Sequence, residues 1–262
     1  MTGDYFQKGW ACFEPEPAVR DWARYAAHYA KNAVHTIENK NFHQCERTWF
    51  IGLDVLPNDA EGRVEGGCAL SGKAVDFATQ NCGGWPALHR AQISVMYPGY
   101  PKPRLGESDA GFRYRVNRDA AHVDGIIGVG TPKRRFVQEP HAFIMGIPLT
   151  QASVDAAPLV VWEGSHYIMR AALQHIYAGL SEADATTTDI TGIYIAARRE
   201  VFETCPRVPL CVDVGATVLL HRLTLHGVAP WDEGATADPD GRMIAYFRPK
   251  IAGGIAAWLS SP

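Results

Sequence analysis

Nothing in this sequence is long and uninterruptedly apolar. No stretch approaches the ~18 consecutive apolar residues of a membrane-spanning helix, so no membrane partner is expected. The first residues, Met1-Thr2-Gly3-Asp4-Tyr5-Phe6, lack a basic start followed by an apolar run, and a cytoplasmic protein is the expectation. Charge of one sign is lacking too. With 25 Lys and Arg against 28 Asp and Glu, the formal net charge is −3, which gives no field to gather nucleic acid or an anionic membrane. A small-molecule partner is the default. The six cysteines contain no C-x-x-C pair, which argues against a zinc cluster or a dithiol motif; reduced, mostly buried thiols are expected. No internal repeat, low-complexity tract or linker is present, and nothing speaks to oligomeric state.

What is present suits one large β-rich domain over residues 1–262, with 47% hydrophobic residues to build its core. From Pro15 to about Asn39, Val19, Trp22, Ala26, Tyr29, Ala30, Ala33 and Ile37 recur at helical spacing behind entry prolines. This predicts a helical N-terminal region over about 1–90, broken by an irregular stretch at 57–73. Residues 92–97 read as a strand that Pro98-Gly99-Tyr100-Pro101 stops. Further β-rich runs follow at Phe112–Val116, His141–Pro148, Pro158–Trp162, Pro209–Val214, Thr217–Leu220 and Met243–Phe247. Between them, residues about 166–205 have helical composition and form an insertion into a β core of about 90–250. The fold class expected is mainly β with helical additions, a jelly-roll or cupin-like double sheet.

The pair His122-Val123-Asp124 carries the chemistry. Side chains two apart on a strand share a face, so an imidazole and a carboxylate can converge on one metal ion while Val123 packs behind. Among ten histidines, His226 is the best third ligand, since it follows a strand and precedes Gly227. His221 lies at an odd offset from it and would face away on a continuous strand. Two histidines and one carboxylate with open positions beside them are the arrangement of non-haem iron(II) oxygenases. Arg242 opens the last strand, and a buried arginine is costly unless a planar anion meets its fork; the distal carboxylate of 2-oxoglutarate is such an anion. Arg248 shares its parity and competes for the role. His166 closes a Gly-Ser-His turn, where capping by Ser165 is the simple reading. Arg113–Arg118 and Lys133–Arg135 concentrate positive charge that reads chiefly as solvated surface.

Three passages together resemble the phytanoyl-CoA dioxygenase family of Fe(II)- and 2-oxoglutarate-dependent oxygenases: Ala121-His122-Val123-Asp124-Gly125, Ala157 through Gly164-Ser165-His166, and Gly215 through His226-Gly227 followed by Arg242. The resemblance spans roughly residues 90–250. It implies the double-stranded β-helix, iron(II), 2-oxoglutarate and O2, with His122, Asp124 and His226 as metal ligands and Arg242 as cosubstrate anchor. It also puts Phe143 where the family has an aromatic beside the cosubstrate. Related halogenases lack the carboxylate, so Asp124 favours hydroxylation or another oxidation of a small molecule over halogenation. The rival readings are a non-catalytic cupin-like binding protein and a zinc or manganese hydrolase or isomerase, for which Arg242 has no evident duty.

Overall fold

The computed structural model describes residues 3–262. Its first half runs α1 (Gly3–Lys8), β1 (Trp10–Phe13), α2 (Pro17–Val34), β2 (His43–Gln44), β3 (Trp49–Gly52), α3 (Lys73–Asn81), β4 (Gln92–Met96), α4 (Asp109–Asn117), β5 (Ile126–Val129) and β6 (Arg134–Val137). The second half adds β7 (Phe143–Pro148), β8 (Leu159–Trp162), α5 (Ser165–Tyr177), α6 (Glu182–Thr187), α7 (Thr191–Thr204), β9 (Arg207–Leu210), β10 (Thr217–His221), β11 (His226–Val228), β12 (Arg242–Phe247) and α8 (Gly254–Ser260).

Seven strands form one antiparallel sheet in the order β1-β10-β7-β12-β4-β3-β2, and three form a second in the order β11-β8-β9. The hairpin β5-β6 stands apart. The two sheets face one another as the double-stranded β-helix. Strand alternation then sorts side chains into layers. Phe143, Met145 and Ile147 of β7, with Met243, Ala245 and Phe247 of β12, pack outward against Val19, Trp22, Ala26 and Ala30 of α2. Ile144 of β7 turns inward and meets Val218 and Leu220 of β10, Leu159 and Val161 of β8, and Leu210 of β9. A third cluster joins the helical insertion to the small-sheet side through Trp162, Met169, Leu173, Tyr194, Val201, Leu225 and Trp258.

Three expectations are corrected. Residues 1–90 are not only helical, because β1, β2 and β3 join the large sheet. Phe112–Val116 lies within helix α4, whose Ser108 hydroxyl accepts the Gly111 N–H at 3.2 Å; that local cap outweighs the aromatic and β-branched composition of the run. All six cysteines are free, but only Cys45 is buried, the others lying in loops, at helix ends or at half-covered strand positions. No helix among the described residues is long and apolar enough to cross a membrane.

Candidate metal centre

Asp119 and Ala120, both at positive φ (51° and 52°), swing the chain sharply out of α4 towards His122. Arg207 of β9 fixes this corner, its Nε and Nη2 donating to the two oxygens of buried Asp119 at 2.7 and 2.9 Å. His122 then pairs with His226, the first residue of β11, across one antiparallel bridge. The amide of His122 donates to the His226 carbonyl at 2.8 Å, and that of His226 returns the bond at 3.0 Å. The His122 and Asp124 side chains do not converge by strand pleat alone, as the spacing predicts. His122 sits in this isolated bridge and Asp124 in the turn that follows, completed by Gly125 at φ +84°.

The result is a cluster of one ligand atom each from His122, Asp124 and His226, all within 4.8 Å of one another. The Nε2 atoms of His122 and His226 lie 3.2 and 3.7 Å from the two oxygens of Asp124. Each ring has its Nδ1 against a carbonyl two residues back, Ala120 at 3.0 Å and Thr224 at 2.9 Å. A carbonyl only accepts, so each Nδ1–H donates to it and each ring turns its Nε2 toward the carboxylate. Burial pushes the His226 imidazole down to about 4, against the upward pull of Asp124. Burial pushes the Asp124 carboxyl up, but Arg248, His122 and His226 together hold it well below the usual range. Two imidazole Nε2 atoms facing an ionised carboxylate form a donor set that a divalent cation completes. The His122 side chain is 47% exposed, against 11% for Asp124 and 8% for His226, so the cluster is open on the His122 side.

A cavity of about 230 Å³ runs inward from the triad, walled by Trp49, Ile51, Ile144, Leu159, Val228 and Tyr246, with Gln92, Ser94 and Arg248 as its other polar groups. Arg248 reaches the triad: Nη1 lies 3.4 Å from Asp124 Oδ2, and Nη2 donates to Gln92 Oε1 at 2.6 Å. Arg242 does not. It sits farther along the same face of β12, past Tyr246 and Ile244, in a narrower cleft of about 20 Å³ that shares the Leu159 and Tyr246 walls. Arg242 is 8% exposed, and among the described residues no carboxylate lies within salt-bridge distance of it.

Phe143 is on the other side of the sheet. Its parity on β7 is opposite to that of Ile144, and it packs in the outer core with its ring 6.0 Å from that of Trp85. His221 ends β10 in the large sheet, while His226 begins β11 in the small one, so the two are separated by a change of sheet. Ser165 does not cap α5; its hydroxyl accepts the Leu225 amide at 2.9 Å and ties the helix start to the strand that delivers His226. Sequence reasoning missed Trp49, Gln92 and Tyr246. Tyr246 shares parity with Arg242 and Arg248 and was legible on that ground, but Trp49 and Gln92 come from strands whose pairing only the fold reveals.

No protein family and no curated relative matches the sequence. Solved structures do match in shape. The non-heme alpha ketoglutarate dependent carbocyclase SnoK from nogalamycin biosynthesis is similar at 14% identity and TM-score 0.56, over 98% of this chain and 87% of that one. The epimerase SnoN, solved in complex with Fe3+, alpha ketoglutarate and nogalamycin RO, aligns at 13% identity and TM-score 0.48, over 98% of this chain and 87% of that one. EctD from S. alaskensis with bound Fe aligns at 15% identity and TM-score 0.48, over 95% and 75%. At such identities the likeness to SnoK speaks for the fold.

Proposed function

We propose that this chain is a non-haem Fe(II)- and 2-oxoglutarate-dependent dioxygenase that hydroxylates a small molecule. The observation that carries the reading is the convergence of His122, Asp124 and His226 with both Nε2 atoms turned toward the Asp124 carboxylate. The likeness in fold to an alpha ketoglutarate dependent enzyme agrees with it, and the sequence motifs favour the phytanoyl-CoA dioxygenase family within that group. Free cysteines throughout suit a reducing, cytoplasmic setting.

When bound, iron and 2-oxoglutarate supply the oxidising power, O2 being consumed as the cosubstrate is decarboxylated to succinate and CO2. The chain's own residues do the rest. His122, Asp124 and His226 would hold the metal as two imidazoles and one carboxylate. Arg248 meets the Asp124 carboxylate, and Gln92 accepts from Arg248 and so holds that guanidinium in place. Arg242 has no carboxylate partner among the described residues, and a buried guanidinium at the narrow end of the cavity system suits the far carboxylate of the cosubstrate. The apolar walls Ile51, Ile144, Leu159 and Val228 exclude water from the space between. The half-exposed edge of His122 is the side from which a substrate C–H approaches.

Anaerobic titration of the protein with iron(II) and 2-oxoglutarate tests this reading. A weak visible metal-to-ligand charge-transfer band that saturates at one equivalent is expected. A featureless spectrum from folded protein overturns it.

A further inference from the structure

The segment that carries His122 behaves as a strand with a neighbour on one side only. The peptide groups of His122 itself are taken up by the bridge to His226. Those of the flanking residues point the other way, as alternation along an extended chain requires. Among the described residues no strand pairs with that side. Two tyrosines stand in for one. The Ala121 carbonyl accepts the Tyr114 hydroxyl at 2.7 Å, and the Val123 amide donates to the Tyr194 hydroxyl oxygen at 3.0 Å. Tyr114 belongs to α4 and Tyr194 to α7, so the two reach His122 from separate elements.

Arg198, one turn beyond Tyr194 on α7, joins them. Its guanidinium lies 4.7 Å from the Tyr194 ring centre and 5.1 Å from that of Tyr114, and its Nη1 donates to the Tyr114 hydroxyl at 2.8 Å. Stacking on both rings holds them in register with each other. Val123 and Tyr194 are 1% and 2% exposed, so water does not replace the lost acceptor if the Tyr194 hydroxyl is removed, and the amide is left unpaired. The Tyr114 side is half-buried and more forgiving.

We infer that Tyr114, Tyr194 and Arg198 form a clamp that positions His122 as a metal ligand, fixing the backbone on both sides of it. They are positioning residues; none of them touches the metal site. The inference rests on the metal-centre reading above. In that role the insertion helices do more than wall off the small sheet: through α7 they set the orientation of the one triad imidazole that the solvent side leaves half-exposed. Outer groups that orient ligands typically change metal affinity on the order of 10- to 100-fold when removed.

The test uses cobalt(II) alone as probe, bound to the full-length protein, with the visible ligand-field spectrum and the dissociation constant as readouts. Tyr194→Phe should weaken cobalt binding on the order of 10-fold or more and alter the spectrum. Tyr114→Phe and Arg198→Met should shift both readouts in the same direction by less, and they carry the test if Tyr194→Phe does not fold. Val201→Ala, a fully buried packing change on the same helix, should lower the melting temperature and leave spectrum and affinity in place. Wild-type uptake of cobalt with an unchanged spectrum and affinity in the tyrosine variants overturns the clamp alone. An equal spectral shift in Val201→Ala also overturns it, because general loosening then suffices. A wild-type protein that takes up no cobalt overturns the clamp together with the metal-centre reading.

Discussion

The carbonyl oxygen of Asp119 lies 2.1 Å from where a Cβ on Gly227 would stand. The same oxygen accepts the Val228 amide at 2.9 Å. Gly227 is therefore the position at which β11 comes close enough to the His122 segment for the two histidines to meet. Alanine there has a backbone atom in its way, and the two segments must part. Overpacking of this kind costs roughly 1–3 kcal/mol. Gly227→Ala should lower the melting temperature by several degrees and weaken metal binding as well, read by thermal unfolding with and without iron(II); stabilisation by metal equal to that of the wild type counts against the close approach being needed.

Asp124→Ala removes the only carboxylate of the triad and leaves Arg248 without its anionic neighbour. Succinate formation from 2-oxoglutarate should fall below detection, and iron(II) binding should weaken by more than the 10- to 100-fold typical of outer-shell changes. Turnover at the wild-type rate would remove Asp124 from the site.

The two arginines of β12 and its exit should separate by readout. Arg242→Met is expected to raise the 2-oxoglutarate concentration needed for half-saturation at least 10-fold, with iron(II) affinity unchanged, because Arg242 lies off the triad. Arg248→Met is expected to change iron(II) affinity, because its partner is Asp124. Binding isotherms for each ligand decide the matter, and the reverse pattern would move the cosubstrate anchor to Arg248.

His166 and His221 lie with ring centres 4.9 Å apart. Burial lowers both imidazoles below the ordinary histidine value of 6.5, with Arg222 and Arg170 adding to it. The unfolded chain therefore binds protons that the folded chain refuses. Stability is full above about pH 6.5 and falls as the pH drops through the window between the unfolded and the folded values, by at most about 1.4 kcal/mol per pH unit for each group. Urea unfolding at pH 7.5 and pH 5.5 should show the loss at the lower pH, and a smaller loss in His166→Gln. A pH-independent midpoint would contradict the neutral, buried assignment.

Much of the fold was legible because its signals are local. The helix behind Pro17, the strands 92–96, 143–148, 159–162 and 242–247, and the helical insertion all show in spacing and composition. α4 was misread because its aromatic and β-branched residues resemble a strand, while the decisive signal was a single serine cap. Phe143 was misplaced by one step of strand parity, which turns a side chain to the opposite face of the sheet.

The order and chemical type of the triad residues were written in the chain itself: an H-x-D, a later His-Gly and an arginine opening the last strand are fixed by covalent sequence. Their meeting was not. His122 and His226 are joined by a bridge between segments about a hundred residues apart, and Arg248 rather than Arg242 reaches Asp124. Tyr114 and Tyr194 close on His122 from two different helices. Sequence determines local propensity and the menu of donor atoms, whereas distances between remote residues depend on how sheets and helices pack, and no local pattern records that.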